Sequence, residues 1–149
     1  MGRSYTNTIM HIIFHTKSAD CAMKEVDLPQ IYSYIGGIIR SISGFAYTIG
    51  GRPDHIHILA DIPSTTSLSD FVRTIKANTS KWVKTLDAEY KDFAWQEGYG
   101  AFSVSESMKH AVIDYICHQK EHHQHHSTYD EFVNFLKKNG LLTDGSQYK

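Results

Sequence analysis

Cysteine is scarce: the chain of 149 residues has two, Cys21 and Cys117, far apart in sequence. They form no metal-type pair, and nothing points to the disulfide framework of a small secreted domain. No apolar run approaches the ~20 residues needed to span a bilayer. The opening residues, Met1-Gly2-Arg3-Ser4-Tyr5-Thr6, lack the apolar core of a signal peptide. These absences predict a cytoplasmic protein with no membrane partner. An excess of positive charge is missing too, since the net charge is -1. That counts against a protein that coats duplex DNA through many phosphate contacts. It leaves room for a compact site that grips a few nucleotides. Internal repeats and low-complexity linkers are also absent.

What is present is a globular composition, 41% hydrophobic and 21% charged, in a length suited to one domain. We expect a single domain over residues 1–149, with a core at about 5–126 and a short helix in 127–149. Ten histidines stand out, and they cluster. His55 and His57 sit together, and a denser group falls between His110 and His126.

Periodicity gives the elements. Residues 5–16 are rich in β-branched and aromatic types and predict a strand. Leu28, Ile31, Ile35, Ile38, Ile39 and Ile42 follow helical spacing, with Asp27 as N-cap, Pro29 in the first turn and Gly44 as stop. Residues 45–49 and 55–62 predict a hairpin turned at Gly50-Gly51-Arg52-Pro53. A second helix is expected over about 67–86, with Arg73, Lys76 and Lys84 off its apolar stripe. Residues 98–104 predict a fourth strand, Ser103 and Glu106 have capping-box spacing, and a helix follows over about 105–123. A short helix is expected over about 128–139. The order β-α-β-β-α-β-α predicts an α+β, ferredoxin-like split βαβ fold. It would have a four-stranded antiparallel sheet, helices on one face and an added C-terminal helix.

Two segments carry chemistry. In a strand of period two, His55 and His57 share a face and could bind one cation, while Ile56, Ile58 and Ile62 point to the helices. The bland alternative is an exposed polar strand face. On the last long helix Tyr115 and Gln119 are four apart and share a face. Tyr115 could be a nucleophile and Gln119 could offer an amide oxygen to a metal, although an aromatic on an apolar stripe is more often core. Together the segments specify attack of Tyr115 on a phosphodiester assisted by a divalent cation on His55, His57 and Gln119.

At this point the sequence resembles the HUH single-tyrosine transposases. His55-Ile56-His57 matches their histidine-hydrophobic-histidine strand, and Tyr115 with Gln119 matches their helix tyrosine followed by glutamine. His11 to Lys17, Gly51 to Asp54 and Trp95 to Phe102 look similar too, and the likeness covers roughly residues 5–123. The resemblance implies an obligate homodimer acting on single-stranded DNA at insertion-sequence ends, recognised partly as an imperfect hairpin. It implies Mg2+ or Mn2+ as cofactor. It also implies a covalent link from Tyr115 to a DNA 5′-phosphate, with the tyrosine helix serving its own or its partner's histidine pair.

The dense histidines His118, His122, His123, His125 and His126 exceed what this pattern needs. They read as a polar helix end complementing the helix dipole, or as an extra zinc site or phosphate contact. Candidate DNA contacts are Lys17, Arg52, Arg73, Lys76 and Lys84, which would bind phosphate without reading sequence. Tyr99 and Phe102 could stack on bases. Two alternatives stand beside this reading. One is a small-molecule phosphodiesterase, although the third alternating histidine of the histidine-triad hydrolases is Leu59 here. The other is a non-catalytic or domesticated hairpin-binding relative.

Overall fold

Alternation along two neighbouring strands decides how this chain folds. In β1 (Ile9–His15) Ile12 and Phe14 point one way, and Ile9, His11, Ile13 and His15 the other. In β3 (His55–Asp61) Ile56, Ile58 and Ala60 oppose His55, His57 and Leu59. Almost every residue of both strands is buried. Both sheet faces must therefore be covered.

The computed structural model describes residues 4–119, together with Asn134 and Lys137. Between β1 and β3 lie α1 (Leu28–Ser41) and β2 (Phe45–Arg52). After β3 come α2 (Leu68–Val83), β4 (Gly100–Ser103) and α3 (Lys109–Cys117). The sheet is antiparallel with order β2-β3-β1-β4, the expected split βαβ arrangement. The chain divides after Cys117, and all these elements belong to the first unit, Met1–Cys117. Among the described residues no helix is long and apolar enough to cross a membrane.

α1 and α2 cover one face, where Ile31, Ile35 and Ile39 meet Phe71, Val72 and Ile75 over the inner side chains of β1 and β3. α3 packs on the other face, where Val112 and Ile116 join Ile9 and Leu59 in a separate apolar cluster. Each such side chain contributes roughly 1.5–3 kcal/mol when fully buried.

Several boundaries differ from the sequence expectation, each for a local reason. Ser67 caps α2 through its hydroxyl, which accepts from Asp70 N–H at 3.1 Å. Asp27 precedes α1 but makes no cap bond. Its carboxylate instead accepts from the Tyr90 hydroxyl at 2.6 Å and the Gln30 amide at 3.1 Å. Ser43, not Gly44, takes the left-handed conformation after α1, with φ 67°. Gly44 is needed for space, since a Cβ there would lie 2.9 Å from both Ile39 and Phe71.

Ser103 and Glu106 form no capping box. Ser105 precedes the short turn at Glu106–Met108, and Glu106 pairs with Lys109 at 2.7 Å. β2 continues through Arg52, opposite His55, so the hairpin turns at Pro53-Asp54 rather than at the glycines. Gly51 sits within the strand at φ 153°, where a side chain would strike the His55 carbonyl. The helix expected to run unbroken to about 123 is interrupted. α3 ends at Cys117, His118 is a turn and Gln119 is helical again. Asn134 and Lys137 are helical, but the rest of the expected 128–139 helix and most of the dense histidines lie outside the described residues.

One core position carries a polar cost. Thr79 on α2 is wholly buried, and its hydroxyl has no hydrogen-bond partner among the described residues. Thr79→Val keeps the shape and removes that buried hydroxyl. It should stabilise the protein by about 1 kcal/mol, read as a rise in the midpoint of chemical unfolding. A lowered midpoint would mean that the hydroxyl is satisfied in solution.

Candidate active site

The register between β1 and β3 assembles the site. His15 lies opposite His55, Ile13 opposite His57, and His11 opposite Leu59. Directly paired residues of an antiparallel ladder share a face, so four imidazoles gather on the sheet face against which α3 packs. The His15 and His55 rings stack at 5.5 Å between centroids, and His11 stacks on His57 at 5.1 Å. His55 and His57 meet edge to face at 4.9 Å.

His55 and His57 are only 1% and 4% exposed. The bland reading of an exposed polar strand face therefore fails. Buried imidazoles need partners for their ring nitrogens. His55 Nδ1 donates to the Asp54 carboxylate at 2.7 Å. The hairpin turn holds Asp54 in place, because its carbonyl accepts from Thr16 N–H at 2.9 Å. His57 Nδ1 shares a hydrogen bond with His11 Nε2 at 2.9 Å. His11 is fully buried, and desolvation pushes its pKa down from 6.5 to about 3. It is neutral at any ordinary pH.

Tyr115 comes from α3 of the same chain. Its ring lies edge-on to His57 at 5.6 Å and to His11 at 6.2 Å between centroids. The structure thus brings together His55, His57 and Tyr115 within one chain. Gln119 is buried and belongs to the second unit, which begins at His118. Among the described residues no group of three or more His, Cys, Asp and Glu side chains could hold a metal ion. A third protein ligand beside the histidine pair would have to be of another type or come from elsewhere.

His11, His15 and Asp54 were not predicted as site members. The signal was present, since His11 and His15 share strand parity. It had no meaning until the register set β1 beside β3. Asp54 ends the Gly51–Asp54 stretch that resembles the family, and nothing in the sequence marks it as the partner of the next residue.

The basic candidates separate. Arg73, Lys76 and Lys84 line one groove of about 440 Å³ between α2 and residues 93–99, with Trp95 and Tyr99. Lys76 is already engaged, donating to the carbonyls of Gln96 and Gly98 at 2.8 and 2.7 Å. Its partial burial lowers its pKa. Arg73 pairs with Asp70. Arg52 pairs with Glu25 at 3.1 Å, away from the groove. Lys17 is exposed just after β1. Tyr99 is 41% exposed at the groove, whereas Phe102 lies within β4, opposite His11.

A split βαβ sheet with a histidine-hydrophobic-histidine strand under a tyrosine-bearing helix defines the HUH single-tyrosine class of transposases. The chain belongs to the IS200-like transposase family, which matches residues 4–119. This is a family of DNA-transposing enzymes. Two solved structures share the fold. A protein of Deinococcus radiodurans R1 assigned as a transposase is 21% identical, with a TM-score of 0.60 over 80% of this chain and 96% of that one. The REP-associated tyrosine transposase bound to a REP hairpin is 16% identical, with a TM-score of 0.61 over 83% of this chain and 73% of that one. A search of the curated proteins gives no match.

The state of His11 sets a pH dependence. Its folded pKa lies below 6.5, so as pH falls the unfolded chain takes up this proton first. The stability tied to neutral His11 is complete above about pH 6.5 and is lost progressively between about 6.5 and 3. The slope is at most about 1.4 kcal/mol per pH unit. Urea unfolding of the metal-free protein should therefore show a shallower acid decline in His11→Phe than in wild type. Equal slopes would mean that His11 titrates normally in the fold.

Proposed function

We propose that this protein cuts and rejoins single-stranded DNA at insertion-sequence ends, through a covalent bond between Tyr115 and a DNA 5′-phosphate. The observation that carries the reading is the contact of the Tyr115 ring with His57, 5.6 Å between centroids, beside the buried His55–His57 pair. A tyrosine that only packs needs one hydrogen-bond partner for its hydroxyl, whereas a nucleophilic tyrosine needs charge stabilisation next to it, which a cation on the histidine pair would supply.

The donor set fits a divalent cation. Both imidazoles have Nδ1 engaged, leaving Nε2 as the ligating nitrogen, and Gln119 would add an amide oxygen. Imidazole donors favour Mn2+ over the harder Mg2+. When bound, the cation would neutralise charge on the scissile phosphate. Tyr115 gives up its phenolic proton as its oxygen attacks phosphorus, the bond from phosphorus to O3′ breaks, and O3′ leaves as a hydroxyl by taking up a proton, so the proton count balances. A phenol of ordinary pKa ~10 is a weak nucleophile, which is why the neighbouring charge matters. The phosphoester energy is kept in the link. Attack by a 3′-hydroxyl restores the tyrosine and rejoins the strand.

The substrate we favour is an imperfect hairpin with single-stranded flanks. The hairpin-bound structural neighbour supports it by likeness of fold. The α2 groove offers cations and an exposed aromatic side by side, which suits an unpaired strand. There Arg73 and Lys84 are the phosphate contacts, while Lys76 braces the loop at 96–98. The active form we propose is a homodimer, with each Tyr115 serving the histidine pair of its own chain.

Two tests follow. Labelled single-stranded oligonucleotides from the flanks of the gene, with Mn2+, should give a protein–DNA adduct that survives denaturant. The adduct should vanish in Tyr115→Phe, in His55→Ala and with chelator. Tight hairpin binding with no adduct in wild type would instead mark a non-catalytic relative. In a titration of hairpin affinity against salt, Arg73→Ala and Lys84→Ala should each reduce the logarithmic slope by about 1. Unchanged slopes in both would move the DNA off this groove.

A further inference from the structure

His57 and His55 are matched ligands on one strand, yet their supporting partners differ in kind. Asp54 is a carboxylate and can only accept, so His55 must carry its proton on Nδ1. The partner of His57 is another imidazole, His11, 2.9 Å away from Nδ1 to Nε2. One proton lies between those two nitrogens, and its owner decides what His57 can do. If His57 donates, its lone pair is on Nε2. If His11 donates, a neutral His57 carries its proton on Nε2 and cannot ligate through that atom.

A free neutral histidine side chain in water prefers the proton on Nε2, the wrong tautomer for ligation through that atom. An acceptor at Nδ1 reverses that preference. His11 is fully buried, stacked on His57 and fixed in the centre of β1 opposite Leu59. It has neither the freedom to swing away nor the solvent to compete for the bond. We propose that His11 is a positioning residue that accepts the Nδ1 proton of His57 and so holds the lone pair of His57 on Nε2 for the cation. The proposal rests on the reading of His57 as a metal ligand. It makes the pair unequal: His55 is backed by a negative charge and His57 by a neutral ring. His55 is then the stronger donor to a cation and His57 the more easily exchanged one.

Long-range proton–nitrogen NMR on the metal-free chain, with labelled histidine, distinguishes the two tautomers directly. His55 and His57 should both show the proton on Nδ1. A wild-type His57 with its proton on Nε2 would overturn the proposal, whatever happens to the variants. His11→Phe keeps ring volume and removes the acceptor, whereas His11→Gln keeps an acceptor oxygen. His11→Phe should move the His57 proton to Nε2 and weaken Mn2+ binding, followed by calorimetry, by roughly 10–100-fold. His11→Gln should hold both near wild type. Unchanged tautomer and affinity in His11→Phe would sink the idea. Wild-type protein that binds no Mn2+ but shows the Nδ1 tautomer would instead count against the metal reading of the site and leave the role of His11 in orienting the ring standing.

Discussion

α3 lies so close to β2 that a Cβ on Gly50 would come within 2.8 Å of the Ile116 carbonyl oxygen. That approach governs the geometry of the candidate site. It lets Val112 and Ile116 seat against Ile9 and Leu59, which excludes water from the sheet face where the histidines stand. It also sets the depth at which Tyr115, one residue before Ile116, meets His57. A bulkier residue at position 50 would lift the tyrosine and wet the imidazoles in one movement. Dry surroundings strengthen every electrostatic interaction at the site and make an unpartnered ring nitrogen costly. The bonds from Asp54 and His11 answer that cost, and the same bonds aim the rings.

How much of this was legible in the sequence depends on whether the signal was local. Strand and helix order followed from periodicity, because Ile56, Ile58, Phe71 and Ile75 announce their burial within a few residues. The pairing of His55 with His57 was local in the same way. The contribution of His11 was not. It lies 46 residues from His57, and only the register joins them. Asp27 shows the limit from another side. It had the right type and place for a cap, but Tyr90, 63 residues away, claims its carboxylate. Glu106 likewise is taken by Lys109 rather than closing a box with Ser103. A polar side chain goes to the strongest partner within reach, and that partner is often remote.

Charges tell a similar story. Five cations looked equivalent in sequence, but three are committed to partners inside the fold. Lys76 holds two carbonyls, Arg52 holds Glu25 and Arg73 holds Asp70. The ion pairs of Arg52 and Arg73 are exposed on at least one side, and such pairs are worth little. A phosphate can compete for Arg73 at small cost. Lys76 differs, because removing it would release the loop that leads into β4 as well as a charge.

The placement of these parts constrains the path of a bound strand. The His–Tyr cluster lies under α3 on one face of the sheet, and the basic groove lies between residues 93–99 and α2, which covers the opposite face. A strand held at both places cannot pass through the sheet and must round an edge. β2 is long and ends at the histidine hairpin, whereas β4 has only four residues. The segment between the groove and β4 runs along the end of β1, with Gln96 N–H bonded to the carbonyl of His15 at 2.8 Å. His15 in turn stacks on His55. The backbone of one short segment therefore touches the groove residue Lys76 on one side and the histidine ladder on the other. If DNA binds as proposed, the β4 edge is where one short segment links the groove to the histidine ladder. Lys76 is then the brace of the loop over which the strand would turn.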